Sequence, residues 1–219
     1  MKLVFASNNA HKLAEVRKIM PEGIEVLSLN DIGFDQEIEE TGTTLEENSR
    51  IKAATVFHWI LDNGQWTIDG IFADDTGLEI DALDGKPGVY TARWYHMDNG
   101  QWTMDNGQLS EREIFAANRK KALTELADKE DRGAQFRTVI TLLLMNGDAA
   151  LNGENDGSLQ VEGIVRGRIA TEEYGEGGFG YDPIFIPEGY DKTFGELPAE
   201  LKNTISHRAR ALHALVNIL

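Results

Sequence analysis

Apolar residues open the chain as "KLVF", a short run that reads as a buried strand and gives way at once to polar "SNN". From Leu13 onward, Leu13, Val16, Ile19 and Met20 fall at helical spacing until Pro21 stops the pattern. The opening therefore predicts strand, polar loop and helix. A second helix is predicted over 44–63, because Thr44 and Glu47 form a T-x-x-E capping box ahead of it. "GIFADDTGLEIDAL" predicts a strand interrupted by two acids and a Thr-Gly turn. A third helix follows over 110–129, then a long apolar strand in "AQFRTVITLLLM". Asn146-Gly147 and Asp156-Gly157 signal turns, and "SLQVEGIVRGRIA" and "YDPIFIP" supply further strands. "SHRARALHALVNIL" closes the chain as a helix with Leu212, Leu215, Val216 and Leu219 on its inner side. Alternating helices and strands followed by clustered strands predict an α/β fold with a mixed central sheet. The expectation is one domain over 1–219, with two lobes around a substrate cleft.

One near-repeat interrupts this reading: "DNGQWTIDG" at 62–70 and "DNGQWTMDNG" at 98–107. Nothing else in the chain recurs, so a repeat array is not supported. The segments read as two turn-prone Asn-Gly loops or edge hairpins, each carrying a tryptophan. A protein contact through exposed Trp66 and Trp102 is the alternative.

Composition narrows the function. With 219 residues and 41% hydrophobic content the chain can bury a real core. A net charge of -16 argues against broad binding to nucleic acid or anionic lipid, which need positive surface. A small anion is still compatible, since a few local cations in a water-poor pocket outweigh a distant negative field. The absence of cysteine excludes disulfides, thiol nucleophiles and zinc-thiolate sites, and the five histidines show no metal-ligand spacing. Any metal is expected to be oxygen-ligated. Polar Ser7, Asn8 and Asn9 arrive too soon for a signal peptide, and no later segment has the length and apolarity of a membrane span. The expectation is a soluble, cytoplasmic protein.

Five segments carry candidate chemistry. Ser7, Asn8, Asn9, Ala10, His11 and Lys12 sit where a strand hands over to a helix. Backbone N–H groups at a helix N-terminus bind anions, and Lys12 adds a full charge, so the segment is a candidate phosphate cradle. It is not a Walker loop, and Ser-Asn-Asn before a helix is also ordinary capping chemistry. In "EETGTTLEENSRIKA", Asn48 and Lys52 lie four apart on one helical face, while Glu40 stands in the preceding loop. Glu47 is better explained as the capping partner, and a solvated charge run is the plain alternative for the whole segment.

"ADDTGL" is the sharpest local signal. Two adjacent aspartates, Asp74 and Asp75, cost desolvation and repulsion unless cations or donors compensate them. Successive strand side chains face opposite ways, so one should enter the site and the other orient partners from behind. Such hard oxygens suit Mg²⁺, which commonly bridges carboxylates and substrate phosphates. In "GEGGFGYDPIF", glycines bring Phe179 and Tyr181 close to whatever they touch, and an aromatic face beside Asp182 makes a candidate base platform. In "ELKNTISHRARAL", Ser206 can cap the final helix and place His207 and Arg208 in its first turn, where the macrodipole disfavours cations. A basic pair there makes sense beside something electron-rich; an exposed pair without a role is the alternative.

Taken in order, "FASNNAHK", "EETGTTLEENSRIKA", "FADDTGLEIDALDGKPGVYTARW", "GGFGYDPIF" and "LKNTISHRARAL" resemble the inosine triphosphate pyrophosphatase family over essentially the whole chain. The "NGQWT" segments and "NGENDG" are longer than the resemblance leads one to expect. The resemblance implies a strongly twisted mixed sheet flanked by helices, a homodimer, and Mg²⁺-dependent hydrolysis of noncanonical purine nucleoside triphosphates (ITP, dITP, XTP) to the monophosphate and pyrophosphate. It implies that Ser7 to Lys12 form the phosphate loop, that Lys52 is a second phosphate cation, and that Glu40 and Asp75 are the metal-side acids. Asp75 would be the base for water, supported by Asp74, with Thr76 touching substrate. Phe179, Gly180, Tyr181, Asp182, Lys202, His207 and Arg208 would form the base-recognition wall. A related pyrophosphatase for modified pyrimidine triphosphates and a non-hydrolysing purine nucleotide-binding module are the competing readings. The aspartate pair favours catalysis, because a mere binder gains little from two acids facing a polyanion.

Overall fold

The computed structural model describes residues 1–63, 67–98, 101–102, 109–145 and 157–219. Trp66, the Trp102 side chain, the Asn146-Gly147 turn, Asp156 and most of "NGENDG" lie outside the described residues. The strands are β1 (Lys2–Phe5), β2 (Glu25–Leu27), β3 (Gly70–Ile80), β4 (Pro87–Gly88), β5 (Met97–Asp98), β6 (Gln101–Trp102), β7 (Gly133–Leu144), β8 (Leu159–Ile169) and β9 (Phe185–Pro187). The α-helices are α1 (Ala10–Ile19), α2 (Leu45–Asn63), α3 (Glu111–Glu125), α4 (Ala199–Ile205) and α5 (His207–Val216). The main sheet runs β2-β1-β3-β7-β8-β9, with β4 beside β3. It is mixed: β1 pairs in parallel with β2 and β3, whereas β3–β4 and β8–β9 are antiparallel. The α/β class with a mixed sheet is therefore the observed one. Among the described residues, no helix is long and apolar enough to cross a membrane.

The chain divides into two compact units. Unit 1 comprises Met1–Asp75, Thr138–Gly163 and Ser206–Leu219; unit 2 comprises Thr76–Arg137 and Ile164–Ile205. In unit 1 alternate strand residues feed two cores. Val4, Ala6, Ile71, Ala73 and Leu143 meet Ala53, Val56, Phe57 and Ile60 of α2, whose spacing is that of one helical face. Leu3, Phe5, Phe72, Ile140 and Leu142 meet Val16 of α1 and Ala211, Leu212 and Leu215 of α5. Each such fully buried large aliphatic or aromatic side chain contributes about 1.5–3 kcal/mol, so α2 and α5 are held mainly by these faces. Unit 2 has a core of its own, in which Ala122 and Leu126 at the end of α3 pack on Leu78, Ile80, Phe136, Val165 and Phe185.

Asn9 caps α1, as Ser-Asn-Asn before a helix led one to expect, so the helix begins at Ala10 and His11 and Lys12 are helical. Three expectations are corrected. β3 runs uninterrupted through both acids and the Thr-Gly pair. Cations compensate the acids, and Gly77 stays in the strand because a Cβ there would come 2.9 Å from the Gly88 carbonyl oxygen on β4. α3 ends at Glu125, short of the expected 129. At the other end of the chain α5 stops at Val216, leaving Val216 half-buried and Leu219 exposed, so the inner face ends at Leu215.

Helix α5 approaches the sheet at Gly163 of β8. A Cβ at this position would lie 2.1 Å from the His207 carbonyl oxygen and 2.3 Å from the Ala211 nitrogen. Backbone cannot yield as a flexible side chain can. Gly163→Ala is therefore expected to lower stability by about 1–3 kcal/mol, the usual cost of overpacking, visible as a reduced Tm. An unchanged Tm would show that α5 has slack against the strand.

Candidate active site

Residue chemistry in unit 1 centres on the two aspartates of β3. Alternation sends Asp74 to the side of Phe72, α1 and α5, and Asp75 to the side of Ala73 and α2. Both are buried, at 1% and 7% exposure. Each has its own cation: Lys12 Nζ lies 2.9 Å from Asp74 Oδ1, and Lys52 Nζ lies 2.8 Å from Asp75 Oδ1. Lys52 Nζ also lies 3.2 Å from Glu40 Oε1, so the loop acid and the strand acid share one ammonium. Asn48 Nδ2 donates to Asp75 Oδ2 at 3.4 Å, while its Oδ1 accepts from Gly42 N at 2.8 Å and ties the loop to α2.

The opening polar segment serves two purposes. Asn9 Oδ1 accepts from Lys12 N at 3.0 Å and Ser7 Oγ accepts from Asn9 N at 3.3 Å, which is capping and turn chemistry. Capping starts the helix early enough to aim Lys12 at the strand. Asn8, Ala10 and His11 are exposed. Glu47 accepts from Thr44 N while Glu47 N donates to Thr44 Oγ1, the expected capping box, and Thr43 N donates to the same carboxylate.

Arg208 finds its electron-rich partners within the protein. Its Nε donates to Asp74 Oδ2 at 3.0 Å and its Nη1 to Glu15 of α1. It is buried because positions 208, 211, 212 and 215 form the inner stripe of α5, so a guanidinium occupies a core position. His207 is buried too, with Nδ1 2.6 Å from Thr138 Oγ1.

These pairings fix the charges. Burial opposes the Asp74 charge, yet Lys12, Arg208 and Lys52 together hold its carboxyl far below the ordinary range. Burial pushes Asp75 upward against the pull of Lys52 and Lys12, leaving it the more basic of the two carboxylates. Burial also lowers Lys12 in spite of Asp74. Lys52 is raised, because Asp75, Glu40 and Asp74 outweigh the burial penalty.

Unit 2 holds the aromatic segment. Asp182 is buried, and its Oδ2 accepts from Phe179 N at 2.7 Å and from Lys202 Nζ at 2.7 Å. Lys202 Nζ also lies 4.9 Å from the Phe179 ring centroid, a cation–π distance. Asp182 and Lys202 thus pose the half-buried Phe179. Gly178 has φ +73°, and a Cβ on it would fall 2.0 Å from Asp182 Oδ2, so the turn needs glycine. Gly180 accepts from Arg119 Nη1 at 2.9 Å, and Tyr181, buried at 3%, donates from its hydroxyl to the Thr91 carbonyl at 3.1 Å. Thr76, half-buried, is the first residue of the unit.

The structure thus brings Lys12, Glu40, Lys52, Asp74, Asp75 and Arg208 into one buried charged network in unit 1, near His207. Phe179 to Asp182 and Lys202 gather in unit 2. Sequence reasoning missed Glu15, Thr138 and Arg119. Glu15 lies three residues beyond Lys12 on one helical face, a spacing that pointed to it, and Thr138 is a hydroxyl inside an apolar run. Nothing local marks Arg119.

The site is thus a mixed α/β sheet that places two adjacent buried carboxylates and the cations paired with them in one network of unit 1. The chain belongs to the Ham1 family, whose profile matches residues 3–218. It is 43% identical to a dITP/XTP pyrophosphatase of Flavobacterium johnsoniae, covering 100% of this chain and 98% of the relative. It is 42% identical to the protein of the same name in Flavobacterium psychrophilum, covering 99% and 98%. The solved HAM1 protein of Coxiella burnetii superposes with a TM-score of 0.76 at 34% identity, covering 100% and 98% of the two chains.

Proposed function

We propose that the chain hydrolyses noncanonical purine nucleoside triphosphates, dITP, XTP and ITP, to the monophosphate and pyrophosphate. The observation that carries this is the pairing of two ammonium groups, Lys12 and Lys52, with the adjacent carboxylates Asp74 and Asp75. Relatives spanning the same length are named dITP/XTP pyrophosphatases. Lys12 and Lys52 bind phosphate oxygens and neutralise charge that grows on the leaving pyrophosphate. Asp75, the more basic carboxylate, aligns and deprotonates the attacking water. Asp74 holds Lys12 and Arg208 in place.

Glu40 and Asp75 are the residues that would hold Mg²⁺. Their oxygens lie within 3.2 Å of one Lys52 ammonium, so a cation already suits the spot, and both keep some exposure. Among the described residues no group of three or more His, Asp or Glu side chains could cage a metal. Mg²⁺ commonly uses one or two carboxylates together with substrate phosphates and water. When bound, the ion supplies charge neutralisation along the triphosphate.

Base selection follows from hydrogen-bond polarity. A 6-keto oxygen accepts from His207 or Arg208, whereas the 6-amino group of adenine sets donor against donor, a mismatch worth roughly 10⁴ to 10⁵. Rejection of guanine needs a separate clash with its 2-amino group. The family resemblance also supports a cytoplasmic homodimer; a one-subunit mass in sedimentation equilibrium would contradict the dimer. Pyrophosphate release across ITP, dITP, XTP, GTP, ATP and modified pyrimidine triphosphates, with and without Mg²⁺, tests the proposal. Turnover of ATP as fast as of XTP, or full activity in chelator, would contradict it. Lys12→Ala is expected to raise KM by about tenfold, the worth of one charge-assisted hydrogen bond to a phosphate, with a smaller effect on kcat. An unchanged KM would count against the cradle.

A further inference from the structure

We infer that a closed polar ring joining Ser49, Thr141 and Gln160 to the first turn of α2 is a positioning device for Lys52. The inference rests on the reading of Lys52 as a phosphate cation.

Helix α2 is attached to the sheet in two different ways. Its later turns are held by apolar packing, since Ala53, Val56, Phe57 and Ile60 share a core with Val4, Ile71 and Leu143. The residues that meet Asp75 come before that stretch. Asn48 donates to Asp75 Oδ2 at 3.4 Å, and Lys52 Nζ lies 2.8 Å from Asp75 Oδ1 and 3.2 Å from Glu40 Oε1. Leu45 is buried at the start of the helix but stands outside that core.

Polar contacts do the anchoring there. Ser49 and Thr141 are both 0% exposed. Ser49 Oγ lies 2.7 Å from Thr141 Oγ1 on β7 and donates to the Glu46 carbonyl at 3.1 Å. From β8, Gln160 Nε2 donates to the same Glu46 carbonyl at 3.0 Å and to Thr141 Oγ1 at 2.9 Å. The contacts close on themselves and tie the first turn of α2 to two strands at once. Strand alternation puts the groups in place: Ile140 and Leu142 face α5, so Thr141 between them faces α2, and Val161 leaves Gln160 on that same side. Ser49 stands three residues before Lys52, hence on one helical face with it. A buried polar network with its partners in place rigidifies what it joins, and hydrogen bonds fix direction as well as distance. A misplacement of about 1 Å at a reacting group can cost about 10²-fold in rate, so anchoring of this kind reaches the chemistry without touching substrate.

The test is a double-mutant cycle read beside hydrogen exchange. In Thr141→Val, nearly isosteric but without the hydroxyl, kcat/KM for XTP should fall about tenfold, and Thr141→Ser should restore it. In a Lys52→Gln background the same Thr141→Val change should cost less than about twofold, because the group it positions is already gone. Backbone amides of 48–52 should exchange faster in the full-chain Thr141→Val protein, while those of 56–60 keep their wild-type rates. A tenfold cost that persists in Lys52→Gln, exchange that quickens equally over 48–60, or wild-type kcat/KM in Thr141→Val overturns the inference. Should Thr141→Val not fold, Gln160→Leu, which opens the ring from a half-buried position, is read in the same way. A wild type that hydrolyses no XTP overturns the reading of Lys52 instead, and the exchange pattern keeps the two failures distinct.

Discussion

Asp75→Asn is expected to cut turnover about 10³-fold while leaving triphosphate binding nearly intact, the range seen for loss of a general base. The amide keeps the shape of the carboxylate and still offers an oxygen to Lys52, which lies 2.8 Å from Asp75 Oδ1. What it loses is basicity. Asp75 is the carboxylate whose affinity for a proton burial raises, whereas Asp74 is locked in its ionised form by Lys12 and Arg208. Only the former can take a proton from water and give it up again. Pyrophosphate release and calorimetric titration of XTP, run on the same preparation, separate the two effects. Retained turnover would move the base elsewhere.

The second large effect is on stability. Asp74→Asn is expected to destabilise the fold by about 3–5 kcal/mol, the cost of breaking a buried ion pair from one side. Arg208 and Asp74 are 2% and 1% exposed at the side chain, so water cannot take over the lost charge. The pair Lys2–Glu25, at 52% and 56%, is by contrast worth little. The pH dependence has a defined sign. Because the folded Asp74 has a lower pKa than the unfolded one, its stabilisation is complete above the unfolded value of about 3.9 and is lost as pH falls through the folded value. Urea unfolding followed from neutral pH into the acid range should show a steeper loss for wild type than for Asp74→Asn. Equal slopes would mean that Asp74 gains nothing from its cations.

Local rules carried much of this structure. The Thr44–Glu47 box places α2, and with it the facing pair Asn48 and Lys52, and strand alternation sends Asp74 and Asp75 to opposite sides. What stayed hidden depends on partners remote in sequence. β3 looked broken at its acids because the neutralising lysine and arginine lie 62 and 134 residues from Asp74. Arg208 looked like a cation against the helix dipole, when it occupies a core stripe and answers to Asp74 and Glu15. Asp182 stood in the sequence as part of a candidate base platform, and its turn hands the carboxylate to Phe179 and Lys202, the latter 20 residues away. α4 was missed because seven residues are too few to show a helical period.

Product identity tests the central claim most directly. Incubated with dITP and Mg²⁺, the full chain should yield dIMP and pyrophosphate in equal amounts on anion-exchange chromatography, with no dIDP at any time point. Release of dIDP and orthophosphate, or no hydrolysis at all, would contradict a site in which Lys12, Lys52 and Asp75 act together on one triphosphate.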